Sequence, residues 1–222
     1  TFLLLKLVIM KGLFISGSST DVGKTFIAEQ IVRLLSESRR VAVRKPVESD
    51  CKTVDGRLVT QDAQTLLNAS NVNDDIDTVC PYKFSQCCSG ESASAATNVT
   101  LTSAQLFDAC QSDDYVVVEG AGGLLSPIAQ NTLNIDLAAA LNLPLIIIVK
   151  DKLGAVNQAL LTIKVAEQYQ LKVACIVLNQ FEANTLNNAD AIRRYSECEV
   201  VIYNDKSAAL FRKKMRQILS ID

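Results

Sequence analysis

Histidine is absent from this 222-residue chain. That removes imidazole general bases, proton shuttles, Ser-His-Asp triads and histidine metal sites together. Catalysis must run on lysine, carboxylate, hydroxyl and backbone groups. A surplus of charge is missing too: 22 Lys and Arg against 24 Asp and Glu leave a net charge of −2, which favours no nucleic-acid partner. The seven cysteines include no C-x-x-C pair, and an odd number makes a poor disulfide framework, so a reducing cytoplasm fits better. Cys87 and Cys88 are adjacent in a polar stretch and read as incidental thiols. No run reaches the length of a membrane span, and the opening Thr1–Ile9 lacks a small-residue cleavage site. Met10-Lys11 reads as a natural start, with residues 1–9 an extension.

What the chain does have is a core: 49% of its residues are hydrophobic, enough for one domain over 10–222. Strand-like runs recur at Leu13–Ser16, Val41–Arg44, Tyr115–Val118, Leu145–Val149 and Val173–Leu178, with a weaker one at Glu199–Ile202. Helical periodicity covers Phe26–Ser38, Asp62–Asn68, Ser103–Cys110, Ile135–Leu141, Ala155–Gln168 and Ala208–Leu219. Unbroken Val, Ile and Leu runs belong to strands buried on both faces. The alternation predicts an α/β fold with a single doubly wound parallel sheet. The polar stretch Asn68–Thr100 carries no assigned role, and the basic, amphipathic tail reads as a docked surface helix.

The strongest motif is Gly17-Ser18-Ser19-Thr20-Asp21-Val22-Gly23-Lys24-Thr25, a phosphate loop one residue longer than G-x-x-x-x-G-K-[ST]. A strand run precedes it and a helix pattern follows, the context that such a loop requires. Backbone N–H groups and the helix N-terminus would bind phosphate oxygens, Lys24 would reach the terminal phosphates, and Thr25 would ligate Mg²⁺. The protein is therefore expected to be P-loop NTPase-like.

In an open parallel sheet, ligands sit beyond the carboxyl ends of the strands. Three segments emerge there. Arg44-Lys45-Pro46-Val47-Glu48-Ser49 aims Lys45 at the loop's rim as a phosphate or substrate contact, with a solvated strand-ending lysine as the plain alternative. Tyr115–Val118 followed by Glu119-Gly120-Ala121-Gly122-Gly123 resembles a Walker B strand with its metal-binding acid. Lys150–Asn157 leads into a helix whose free N–H groups suit an anionic substrate or an ordinary loop. Asp62, by spacing alone, reads as a helix cap; Asn179 reads either as a base contact or as a strand cap.

Together these segments resemble dethiobiotin synthetase, a family of deviant phosphate-loop proteins; the V-E-G-A-G-G, K-P-V and K-L-G-x-x-N runs carry the likeness. The resemblance implies ATP-dependent carboxylation and ring closure of 7,8-diaminononanoate with CO₂ and Mg²⁺. By position it implies Lys45, Lys24 and Thr20 as catalytic groups. Asp21, Val22, Gly23, Lys24, Thr25, Glu119, Gly120, Ala121, Gly122 and Asn179 would bind ATP. Thr25, Asp62 and Glu119 would bind the metal. Ser49 would touch the substrate. Gly154, Ala155 and Asn157 match the place where a neighbouring subunit holds the substrate carboxylate, so a homodimer is implied. Three departures stand out: Asp21 replaces a glutamate, Asp50 replaces a glycine, and Val200–Asn204 replaces a proline-containing segment on the adenine side. The rival reading is a positioning or partitioning ATPase with a membrane or protein partner. That group carries a second lysine early in its loop, where this chain has Ser19.

Overall fold

The computed structural model describes residues 10–221, so the expected extension over 1–9 lies outside the described residues. Six strands build the central sheet: β1 (Gly12–Gly17), β2 (Val41–Arg44), β3 (Tyr115–Gly123), β4 (Leu145–Lys150), β5 (Val173–Asn179) and β6 (Val200–Tyr203). They run β2-β3-β1-β4-β5-β6 across the sheet, and every neighbouring pair is parallel. All six were marked by the sequence, and the doubly wound arrangement is as expected.

Around the sheet lie α1 (Lys24–Ser36), α2 (Asp62–Ala69), α3 (Ile76–Val79), α4 (Gly90–Ala96), α5 (Ser103–Ala109), α6 (Asn134–Leu141), α7 (Ala155–Gln168), α8 (Asn188–Tyr195) and α9 (Ala208–Ile218). Side chains alternate along each strand, and the two sets find different helices. Leu13, Ile15, Ile146 and Ile148 pack with Ile27, Ile31 and Leu35 of α1, Leu66 of α2, and Phe211 and Met215 of α9. Phe14, Ile147 and Val149 face the other way, onto Leu106 of α5, Ile135 of α6, Ile163 of α7 and Ile192 of α8. Both faces are dry, which is why the strands read as continuous apolar runs. The basic tail docks as expected: α9 buries Phe211 and Met215, and Arg212 and Arg216 both pair with Glu37.

Several elements differ from the sequence expectation. The strand ending at Val118 continues to Gly123, because the glycines let the backbone run on beside β1, with Gly17 opposite Gly123 after a register shift. The helices α3, α4 and α8 went unmarked. α4 has no large apolar residue to set a period; Ser89 caps it by accepting from the Ser92 N–H. α8 buries only Ala189 and Ile192. A small hairpin, Lys52–Val54 with Arg57–Val59, turns on Asp55 and Gly56, both at positive φ (49° and 74°). That Asp-Gly pair is a hairpin signal, though the flanking residues are mostly exposed and lack alternation.

Ile147 has neighbours on both sides in the sheet and no exposed surface. Ile147→Ala should cost about 2–5 kcal/mol, seen as a lower denaturant midpoint at an unchanged slope.

Candidate active site

β1 delivers the chain into the phosphate loop at Gly17, and α1 begins at Lys24 with no side-chain cap on its N-terminus. Those free N–H groups are the ones an anion would take. Gly23 supplies the left-handed turn (φ 81°), and a Cβ there would come within 2.2 Å of the Asn179 Nδ2. Only glycine fits both demands. The same Asn179 amide donates to the Val22 carbonyl at 3.0 Å, so the end of β5 braces the loop from behind. Asn179 is buried, and its side chain fastens the loop.

The charged centre follows from strand register. Arg44, the last residue of β2, lies opposite Val118 of β3, so Lys45 comes beside Glu119, which stays in β3 opposite Ile15 of β1. Lys45 Nζ donates to Glu119 Oε1 at 2.6 Å and to the Gly120 carbonyl at 3.3 Å, and lies 3.3 Å from Asp62 Oδ2. Thr25 Oγ1, one residue into α1, donates to the same Glu119 Oε1 at 2.9 Å. Glu119 is fully buried, and its second oxygen, Oε2, has no partner among the described residues. Lys24 reaches back to the Ser19 carbonyl at 3.4 Å.

Burial opposes the charge on Lys45, but Glu119 and Asp62 outweigh it, and the ammonium is held protonated well above its usual range. The Asp62 carboxyl is also opposed by burial. Lys45, hydrogen bonds from Thr25 and Lys45, and the nearby Lys24 still bring it below the ordinary carboxylate range. Lys24 moves the other way: burial first, then repulsion from Lys45, lower its pKa. The centre thus favours the Asp62 carboxylate and one firmly charged lysine, and it strains the second lysine. An anion would relieve that strain.

A cavity of about 640 Å³ opens above this cluster. Thr20, Asp21 and Lys24 come from the loop, Lys45 and Ser49 from the segment after β2, Asp62 from α2, and Ala121 and Gly122 from the end of β3. Eight of the expected groups therefore line one cavity; Thr25, Glu119 and Gly120 join them through the hydrogen bonds of the Lys45–Glu119 pair, while Val22, Gly23 and Asn179 lie outside its lining. The structure does not bring Gly154, Ala155 and Asn157 there. These sit at the start of α7, with Gly154 and Asn157 exposed, Ala155 buried, and none of them lining the cavity.

Some lining was not legible. Cys87, Cys88, Ser89 and Gly90, from the stretch without an assigned role, form one wall, and Ser126 and Pro127 form another. The two thiols therefore border the site. Asn134 at the start of α6 holds the glycine turn, donating to the carbonyls of Ala121 (2.5 Å) and Gly123 (2.8 Å). Asp50, standing where the resemblance leads one to expect glycine, adopts φ 62°, so the left-handed backbone is kept with a side chain that tolerates it.

Because the Lys24 ammonium is less favourable in the folded chain than in the unfolded one, its charge costs stability at neutral pH. That cost is full below the folded pKa and fades as pH rises towards 10.5, the unperturbed value. Lys24→Met should therefore stabilise the nucleotide-free protein by about 1 kcal/mol at pH 7. Mg-ATP should raise the melting temperature of the parent, and the same variant should lose that rise. Paired thermal melts at pH 7 and pH 10 check both, the gain being smaller at pH 10.

A family model described as an AAA domain matches residues 11–203. The ATP-dependent dethiobiotin synthetase BioD of Ruthia magnifica subsp. Calyptogena magnifica is 50% identical over 212 residues, covering 96% of this chain and 100% of that protein. The protein of the same name from Rhodopirellula baltica is 34% identical over 202 residues, covering 82% of this chain and 79% of its own. Among solved structures, a cobyrinic acid a,c-diamide synthase from Mycobacterium smegmatis with bound ADP and magnesium aligns at TM-score 0.58, with 16% identity and coverage of 95% and 94%. A ParA family ATPase from Chlorobium tepidum TLS aligns at 0.55, with 15% identity and coverage of 95% and 92%. At such identities these two share the fold alone. With half its residues identical across the full length of a curated relative, and the lysine–carboxylate cluster set beside a phosphate loop, the chain belongs to the dethiobiotin synthetase family.

Proposed function

We propose that the cavity above Lys45 and Glu119 is where ATP drives carboxylation and ring closure of 7,8-diaminononanoate, giving dethiobiotin, ADP and phosphate. The observation that carries this reading is the convergence of Lys24, Lys45 and Asp62 on one rim with the phosphate loop. One amine of the substrate takes up CO₂ and loses a proton to become a carbamate. A carbamate oxygen attacks the γ-phosphorus as the bond to ADP breaks. The second, neutral amine then attacks the carbonyl carbon, a C–N bond forms, phosphate leaves, and a proton is released. A carbamate is already an anion, so this route needs placement and charge neutralisation more than a base. That accounts for a site without histidine. Nearby ammonium groups also lower the pKa of the attacking amine in the required direction.

Roles follow from position. The free N–H groups at the start of α1 and Lys24 would hold the phosphates, the Thr20 hydroxyl would meet the γ-phosphate, and Lys45 and Lys24 would offset charge on the transferring group. Asp21, Val22, Gly120, Ala121 and Gly122 contribute to the nucleotide-binding rim, and Ser49 faces the substrate. Asn179 contacts the base while its amide keeps the loop in place. The Thr25 hydroxyl, the Asp62 carboxylate and the unpartnered Glu119 Oε2 are hard oxygen donors, a set that suits Mg²⁺. When bound, the ion neutralises phosphate charge.

Gly154, Ala155 and Asn157 fit a site completed across a homodimer. In their own chain they lie outside the cavity, and Leu153 beside them is 87% exposed. Leu125 and Leu161 are also exposed along the groove between the loop and α7. The reading of a positioning ATPase is weaker: Ser19 stands in place of its second lysine, and the basic tail is docked on β6 and paired with Glu37. No helix among the described residues is long and apolar enough to cross a membrane. A cytoplasmic enzyme fits the free thiols.

Purified protein given Mg-ATP, bicarbonate and diaminononanoate should form a cyclic urea, with phosphate release dependent on the diamine. Lys24→Gln and Lys45→Gln should each lower kcat by about 10²-fold or more. Diamine-independent hydrolysis, or an unimpaired Lys45→Gln, would refute the scheme. Mixing inactive Lys45→Gln with inactive Asn157→Ala should restore activity, since a mixed dimer rebuilds one intact site; no recovery would place the substrate site within a single chain.

A further inference from the structure

Glu48 is a buried acid that none of the roles above uses. It lies two residues beyond Pro46, in a two-residue strand, Val47–Glu48, paired with Tyr82–Lys83. Its carboxylate bonds to the start of α2, while Lys45 acts on it only through charge. Oε1 accepts from the backbone N–H groups of Gln61 (2.6 Å) and Asp62 (3.1 Å), and Oε2 accepts from that of Ala63 (2.9 Å). The residue at the N-cap position, Gln61, makes no side-chain cap of its own. A carboxylate from another element has taken that place, where it satisfies three orphan donors and the positive end of the helix at once. Burial raises the Glu48 carboxyl, and the bond from Ala63 opposes that rise. Asp62 is the first residue of the helix so held.

We propose that Glu48 is a positioning residue: by clamping the backbone of 61–63 it fixes where the Asp62 carboxylate stands relative to Lys45 and Thr25. The segment after β2 thereby sets Asp62 twice, through Lys45 at the side chain and through Glu48 at the backbone. Either contact alone would leave α2 a freedom, of rotation or of sliding. This inference rests on Asp62 belonging to the Mg²⁺ site.

The experiment titrates Mg²⁺ by calorimetry in the presence of a non-hydrolysable ATP analogue, for the parent, Glu48→Gln, Asp62→Asn and the double variant. Hydrogen exchange at the amides of Gln61, Asp62 and Ala63 is read alongside. Glu48→Gln keeps the shape and places an N–H where an acceptor is needed, so a folded variant is expected. Loss of an outer contact of this kind weakens a metal site by about 10–100-fold. The expected result is a weakening of about tenfold in Glu48→Gln, faster exchange at the three amides, and no further weakening when it is added to Asp62→Asn. Unchanged Mg²⁺ affinity in Glu48→Gln, with Asp62→Asn impaired, would overturn the inference. So would additive losses, or a raised KM for the diamine at unchanged metal affinity, which would make Glu48 a substrate contact. Unchanged affinity in Asp62→Asn would instead overturn the assignment of Asp62, and the inference with it.

Discussion

The buried ion pair between Lys45 and Glu119 is the constraint on which the site depends. Neither charge is exposed enough for water to stabilise it, so each holds the other in place. Their meeting is fixed by the sheet. β2 and β3 pair in register up to Arg44 and Val118; β2 ends there while β3 runs on, so Lys45 comes beside Glu119. Around that pair, Thr25 and Asp62 complete a ring of oxygen donors drawn from two more elements. Four separate segments therefore share one electrostatic centre, and neither Lys45 nor Glu119 could move away without leaving a buried charge unpaired.

The phosphate loop sits against this centre under a different kind of control. Its shape comes from backbone conformation: the left-handed Asp21 and Gly23, the tight approach of Asn179, and an α1 N-terminus left uncapped. Lys24 is the price of that readiness, a second ammonium beside Lys45 in a half-dry place. A site that disfavours its own lysine is a site prepared for an anion. This is the stability–function conflict expected where binding groups must be held before the ligand arrives.

The strands and the larger helices were legible because burial on both sheet faces writes Val, Ile and Leu into consecutive positions, and because α1, α7 and α9 each carry an apolar stripe. The loop, Lys45 and the Glu119 glycine run were legible for a chemical reason: phosphate and cation binding demand particular residue types at fixed spacing. The cavity walls at 87–90 and 126–127 were not, since serines, cysteines and a glycine there follow no period and make few apolar contacts. α8 was hidden because its eight residues are mostly polar, with Ile192 the one large apolar side chain it buries. Asn134 gave no signal at all, because its task, holding a turn eleven to thirteen residues earlier in the chain, exists only once the chain has folded.

By itself, the sequence determined the sheet's strands, the phosphate loop and the chemistry available without histidine, since local spacing and side-chain type are sufficient for these. The tertiary structure alone decided that Lys45 neutralises Glu119 instead of standing free, that Glu48 caps a helix from outside it, and that the α7 residues lie away from the cavity of their own chain. Those outcomes depend on strand register and helix placement. They are relations between segments far apart along the chain, which no local pattern encodes.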